Sequence, residues 1–370
     1  MTGDVVQVSF WPLGDGNHVL EGHESTVVDL EFTPDGASLV STSWDNTVRL
    51  WHLVKGAETA RTLLRLTGTE DLDLDPTGTR VAVAADSGRA LIVPIESGPT
   101  QELTGFEESW LAQIAFSPSG DNVAAAPIRG PAREKVLRVW NLRSGVSQVI
   151  PVPGAGEGAE GGIWSLSFLD PNRLVASGPG TGLLLFDLED QTADVISSRG
   201  GWSVAPSLRG QYWLMAEAQG TSPDYSVGNL LRIDWNGGGP KAIPSHPKTG
   251  YVALDPSENM VASGTWDGIV RVGPVTGAEP HLFFGHRGIV PRLTFSPDGR
   301  WVASAGEDKT IRLWRVPDLL EIPLHARSQG ELLRVLRSRT NVRVVPDPES
   351  PNGWKLSQDP FPGWAKLPEQ

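Results

Sequence analysis

Apolar and polar residues alternate in short runs along most of the chain, and turn residues separate the runs. Within 285–314, Leu293 and Phe295 are two apart and share one face of an extended segment. Ser296-Pro297-Asp298-Gly299 then turns the chain, with Gly tolerating positive φ. Val302 and Ser304 share a face of the next run, and Ile311 and Leu313 a face of a third. A period of two predicts strands, and tight turns join them into an antiparallel meander. One meander cannot cover both of its faces, so it needs copies of itself.

The copies follow in order. The first full unit, 24–66, carries Leu30, Phe32, Pro34-Asp35-Gly36, Ser41 and Thr47-Val48-Arg49-Leu50-Trp51. The second, 67–104, carries Leu72, Leu74, Pro76-Thr77-Gly78, Val81 and Ala90-Leu91-Ile92-Val93. The third, 105–150, carries Ile114, Phe116, Pro118-Ser119-Gly120 and Val136-Leu137-Arg138-Val139-Trp140, with an insertion at 127–135. Pro34, Pro76 and Pro118 stand 42 residues apart. The fourth, 151–197, has Phe186 where its neighbours have Trp, and a Gly-rich stretch at 153–158 precedes its first strand. No Lys-Ser or Lys-Thr follows that stretch, so it is read as a connection and not a phosphate loop. The fifth, 198–244, is the weakest, with a loop expected from Gln219 to Gly228. The sixth, 245–284, and the seventh, 285–325, complete the series.

Two units share a polar signature. Gly22-His23, Ser41, Asp45 and Trp51 recur as Gly285-His286, Ser304, Asp308 and Trp314. A third keeps His246, Ser263 and Asp267 but has Gly273 where Trp belongs. Gly-His, then Asp, then a Val-Arg-Leu-Trp strand resembles the WD40 repeat, whose units form the blades of a β-propeller. The resemblance implies an all-β chain: a single seven-bladed propeller over 1–325, with eight blades as the alternative. It also implies that N-terminal strands within 5–22 help to close the ring, His18–Leu20 pairing with the unit at 289–316. The Val5–Trp11 strand is then surplus: an extra edge, or the end of a longer array. In such blades the His, Ser, Asp and Trp form a buried hydrogen-bonded network, here His23, Ser41, Asp45, Trp51, His246, Ser263, Asp267, His286, Ser304, Asp308 and Trp314. A His–Asp–Ser set also invites a hydrolase reading. Its recurrence on different blades argues against that, because one active site does not need copies.

From 326 to 370 the chain leaves the repeat pattern. Leu332, Leu333 and Leu336 predict a short helix, and Asn341–Val345 and Gly353–Leu356 two strands, giving a helix-plus-hairpin tail on the propeller. The run from Asn341 to Pro351 and the closing Pro-Phe-Pro-Gly-Trp resemble the ends of bacterial WD40 proteins, some of which carry a protein kinase domain ahead of the propeller.

Composition narrows the chemistry. The 370 residues include 42 Gly and 30 Pro, as many tight turns require, and 14 Trp. Cysteine is absent, which excludes disulfides and thiolate metal sites. A net charge of −13 argues against nucleic acid as the partner. There is no basic-then-apolar leader and no apolar run of about 18 residues, so a cytoplasmic chain with no membrane association is expected. The motifs of zinc proteases, α/β-hydrolases and kinases are missing, and no cofactor is expected. His18, His52, His281 and His325 do not recur at ligand spacing. Asp71, Asp73 and Asp75 alternate with Leu72 and Leu74. They are expected on a solvated strand face, with a Ca²⁺ site as the alternative.

Function is therefore sought on surfaces. In WD40 propellers the usual partner-binding face carries the loops before the first strand and between the second and third. Trp44 and Trp266 sit in such loops, and Trp110, Trp164 and Trp202 near the starts of first strands. They are candidate partner contacts, or else packing between blades. Arg129, Arg133 and Lys135 in the insertion would give this face a basic edge. The expected protein is a monomeric, non-enzymatic scaffold for a protein or peptide. The alternatives are the regulatory end of a larger bacterial signalling protein, and a propeller enzyme or small-ligand binder with a channel site.

Overall fold

The computed structural model describes residues 7–10, 18–53, 59–106, 109–129, 136–153, 162–207, 209–220, 226–235, 239–317, 328, 343–346 and 354–357. Every regular element among them is a strand. The helix expected near 329–337 lies outside the described residues.

Six sheets of four antiparallel strands and one of five make up seven blades. Their first strands are Val27–Phe32, Thr69–Leu74, Trp110–Phe116, Ser165–Asp170, Gly201–Pro206, Thr249–Leu254 and Arg292–Phe295. These strands pack against one another around a ring, the last against the first. Closure is by chain exchange: His18–Glu21 forms the fourth strand of blade seven, pairing His18 with Leu313 and Leu20 with Ile311. Gln7–Phe10 adds a fifth strand outside it. The eight-bladed alternative is not formed, because the N-terminal strands sit in blade seven and the tail strands Arg343–Pro346 and Trp354–Ser357 pair with each other.

The core lies between blades. Seven hydrophobic clusters occupy the seven junctions; one of them joins Leu30, Phe32 and Trp51 of blade one to Ala303, Ile311 and Leu313 of blade seven. Second strands are covered on both faces, and all six residues of Ser38–Ser43 and of Met260–Thr265 are buried. This two-sided burial removes the polar-out alternation from the second strands.

The turns between first and second strands explain the Pro-x-Gly spacing. Gly36 and Gly299 both sit at φ 69, where a side chain would be strained, and Gly36 N–H donates to the Thr33 carbonyl at 2.7 Å. Blade six puts Glu258 there instead, at φ 62. In blade five the loop expected from Gln219 to Gly228 is shorter. Tyr212–Gln219 and Ser226–Asp234 form a long hairpin, and Gln219 pairs with Ser226. Residues 127–129 of the expected insertion continue the second strand of blade three, while 130–135 lie outside the described residues.

Candidate functional site

The polar signature assembles fully in blades one and seven. His23 meets Asp45 through Nδ1 at 2.8 Å and Ser41 through Nε2 at 2.8 Å, and Trp51 donates to Ser41 Oγ at 2.8 Å. His286, Asp308, Ser304 and Trp314 repeat the arrangement at 3.0, 2.7 and 2.8 Å. Asp can only accept, so Nδ1 carries the proton and the Ser hydroxyl donates to Nε2. The hydroxyl is thereby spent on holding the ring, and Ser41 and Ser304 are both buried. Burial opposes ionisation of Asp45 and Asp308, but the bonds from His, Thr and backbone N–H hold both carboxyls below the usual range. In blade six His246 reaches only Ser263; Asp267 accepts from Thr265 instead. Of the His246, Ser263 and Asp267 set expected there, the His–Ser bond forms and Asp267 stands apart.

One end of the ring gathers the tryptophans. First strands begin and second strands finish at this end, so the loops into the first strands and those between second and third project from it. Trp44 is 52 % exposed, Trp266 38 % and Trp110 36 %. They belong to two groups. On blades four to six, Trp202 stands edge-on between Trp164 and Trp266, with centroids 5.3 and 5.6 Å away. Trp266 lies over Gly250, where a Cβ would come within 2.8 Å of its indole nitrogen. On the opposite side, Trp44 donates to the Glu70 carboxyl at 3.3 Å, and Trp110 hydrogen-bonds the same carboxyl. Three indoles thus meet across blades, two share one carboxyl, and Trp44, Trp110 and Trp266 stay part-open to solvent. The Arg129 backbone is paired with Trp110 at the blade-three edge of this face. Its side chain and Arg133 lie outside the described residues.

Behind the tryptophans runs a central channel of about 360 Å³, lined by first strands. Here the expected solvated acidic face is corrected. Asp71 is buried, and Arg292 of blade seven is clamped between Asp71 and Asp29 of blade one, the latter contact at 2.7 Å. The acids also cap the next blade: Asp29 and Glu31 accept the N–H groups of Leu72 and Leu74, and Asp71 and Asp73 those of Ile114 and Phe116. A first strand has no hydrogen-bonding partner strand on its channel side, and these carboxylates satisfy its exposed donors. Asp75 is elsewhere, accepting from Thr79 and Arg80 in the turn of blade two. Burial and crowding raise the acids: Asp73 up to about 7, and Glu31 and Asp71 well above the usual range. Burial acts against the charge on Arg292, but Asp29 and Asp71 hold it more firmly protonated than usual. Among the described residues no group of three or more His, Asp or Glu has the geometry of a metal site.

Sequence reasoning does not single out Arg292, Asp29 or Glu31. A signal was present: Asp29-Leu30-Glu31 and Asp71-Leu72-Asp73 have the same phase 42 residues apart, and Arg292-Leu293-Thr294 continues it.

Comparison with known proteins agrees with the fold. The WD domain, G-beta repeat family model matches residues 14–52, 241–272 and 277–315, each running from the outer strand of one blade into the first three strands of the next, blades one, six and seven. The chain is 25 % identical over 317 residues to nuclear distribution protein PAC1 of Coccidioides posadasii, covering 83 % of this chain and 60 % of that protein. It is 26 % identical over 314 residues to nuclear distribution protein nudF of Aspergillus niger, covering 82 % and 62 %. A shorter match, 39 % over 72 residues, is to DDB1- and CUL4-associated factor 13 of Dictyostelium discoideum, covering 19 % and 15 %. The chain spans about six-tenths of the length of the fungal relatives it matches.

Proposed function

We propose that this chain, which carries WD40 repeats on a seven-bladed propeller, is a non-enzymatic scaffold that binds a protein or peptide on its tryptophan-bearing face. The observation that carries the reading is the exposure of Trp44, Trp110 and Trp266 together on one rigid end of the ring. Exposed indoles fixed on a rigid frame offer large contact area with little ordering cost. The hydrogen-bonded His–Asp–Ser sets and the channel acids are engaged in holding the blades, which favours a scaffold over a channel enzyme. No helix among the described residues is long and apolar enough to cross a membrane, and a cytoplasmic, monomeric protein is the location and state that go with this reading. The relatives' names concern nuclear distribution; at about a quarter identity we carry over the scaffold role and not that process. The tail's bacterial, kinase-linked resemblance has no counterpart among these fungal and amoebal relatives.

The test is affinity capture from the source cells with wild type and Trp44→Ala/Trp266→Ala. A partner that depends on both indoles, at an unchanged melting temperature, supports the face as the binding surface. A partner equally retained by the variant places binding elsewhere.

A further inference from the structure

The two halves of the tryptophan face differ in charge. On blades four to six the indoles pack on one another, and Glu217 beside them is paired with Arg199 at 3.1 Å. On blades one to three the centre is Glu70, held by the indoles of Trp44 and Trp110. Among the described residues no cationic side chain pairs with Glu70; Asp86 adds a second negative charge near it, and burial with Asp86 pushes its carboxyl up to about 7. Burial raises the Tyr251 hydroxyl, Arg292 draws it down, and Asp29 and Glu70 push it up again. Deeper in the channel Asp29 and Asp71 already share the guanidinium of Arg292, so that cation is fully engaged. Among the described residues the mouth of the channel on this side therefore has carboxylate in excess, beside the part-exposed indole of Trp44. Across the whole chain the net charge is −13, which steers cations toward it.

We propose that the Trp44–Glu70–Trp110 site receives an arginine or lysine side chain from the partner, which makes a charge-assisted bond to Glu70 and lies against the Trp44 indole. The inference rests on the proposed function and specifies the chemistry of the partner. Charge complementarity argues for a cationic segment: a neutral apolar side chain would leave Glu70 desolvated with nothing in exchange, and an acidic one would add repulsion to Glu70 and Asp86. The guanidinium of Arg292 between Asp29 and Asp71 shows the same chemistry within the molecule. A cation over an open indole adds to the ion pair and selects for charge over size.

The full chain is panned against a randomised decapeptide display library, with Trp44→Ala/Trp266→Ala as counter-target. A selected peptide is then synthesised with its basic residue intact or replaced by norleucine. The expected result is enrichment of Arg or Lys, about a tenfold loss of affinity on replacement by norleucine, and a similar loss for Glu70→Gln. The two losses should not add when combined, because both remove one contact. Glu70→Gln keeps an oxygen for the indole donors, and an unchanged melting temperature separates binding from folding. Peptides that need the tryptophans but show no basic preference, or ignore Glu70→Gln, overturn this inference and leave the scaffold reading standing. Enrichment of acidic peptides lost on Arg129→Ala would overturn it too, placing the recognised charge on blade three. Failure to recover any peptide that distinguishes the tryptophan variant from wild type would count against both.

Discussion

His246 meets Ser263 Oγ through Nδ1 at 2.7 Å, the opposite nitrogen to the one that His23 and His286 offer their serines. Blade six also has Gly273 where blades one and seven have Trp, and Pro280 packs on it, so that a Cβ there would come within 2.7 Å of Pro280. Asp267 accepts from Thr265 and not from the ring, whose Nε2 is buried with no partner among the described residues. Blade six keeps the motif's His, Ser and Asp and loses its circuit.

The circuits should therefore differ in worth. His286→Leu breaks bonds to Ser304 and Asp308 and is expected to lower stability by about 2–4 kcal/mol. His246→Leu removes one bond and one orphaned nitrogen, and should cost less than half as much. Urea unfolding of both variants checks the ranking, and equal losses would show that blade six depends on its histidine as strongly.

Acid should expose the same histidine. Burial, with a smaller contribution from Arg271, lowers the His246 pKa from 6.5 to about 3. Its folded value is depressed, so below 6.5 the unfolded chain binds the proton and the native chain does not. The contribution is complete above about pH 6.5 and is lost as pH falls toward 3. His246→Leu should flatten the decline of melting temperature between pH 6.5 and 4.5 relative to wild type. A parallel decline would mean that the ring is protonated in the native state.

Arg292 ties blade seven to blades one and two across the point where the ring closes. Arg292→Met leaves Asp29 and Asp71 buried without a counter-charge, an error of about 3–5 kcal/mol. Protonation relieves it, so the loss should be larger at pH 8 than at pH 5. Thermal unfolding at the two pH values tests this, and a loss independent of pH would point to packing and not charge.

Asp73 behaves in the opposite sense to a paired carboxylate. Burial raises it to about 7, so between about pH 4 and 7 the native chain holds a proton that the unfolded chain releases. Stability from this group therefore falls as pH rises through that window. Asp73→Asn keeps an acceptor for the Phe116 N–H and removes the charge. It should raise the melting temperature at pH 8 by more than at pH 5; a fall at pH 8 would show that the ionised form is needed.

These residues also show how far the sequence could be read. The turns at Pro34-Asp35-Gly36 and Pro297-Asp298-Gly299 announce themselves because φ at Gly36 and Gly299 demands glycine. Blade five was obscure because its turn, around Ser207 and Gly210, lacks that Pro-x-Gly signature and its hairpin runs through the expected loop. The alternation of Asp71 and Asp73 with leucines marks a shared face in the chain. Whether that face meets water, calcium or Arg292 depends on a strand 221 residues away, which local spacing does not show. The tryptophans were visible as positions near loops. Their division into a packed stack and a Glu70-centred pair depends on which blades are neighbours.

The most direct measurement of the central claim is hydrogen–deuterium exchange of the chain alone and bound to the captured partner. Slowed exchange confined to the amides around Trp44, Glu70, Trp110, Trp164, Trp202 and Trp266 is the predicted result. Slowing confined to the opposite turns at Gly36, Gly78 and Gly299, or to the outer strands Ser147–Pro151 and Thr192–Ser197, would contradict it.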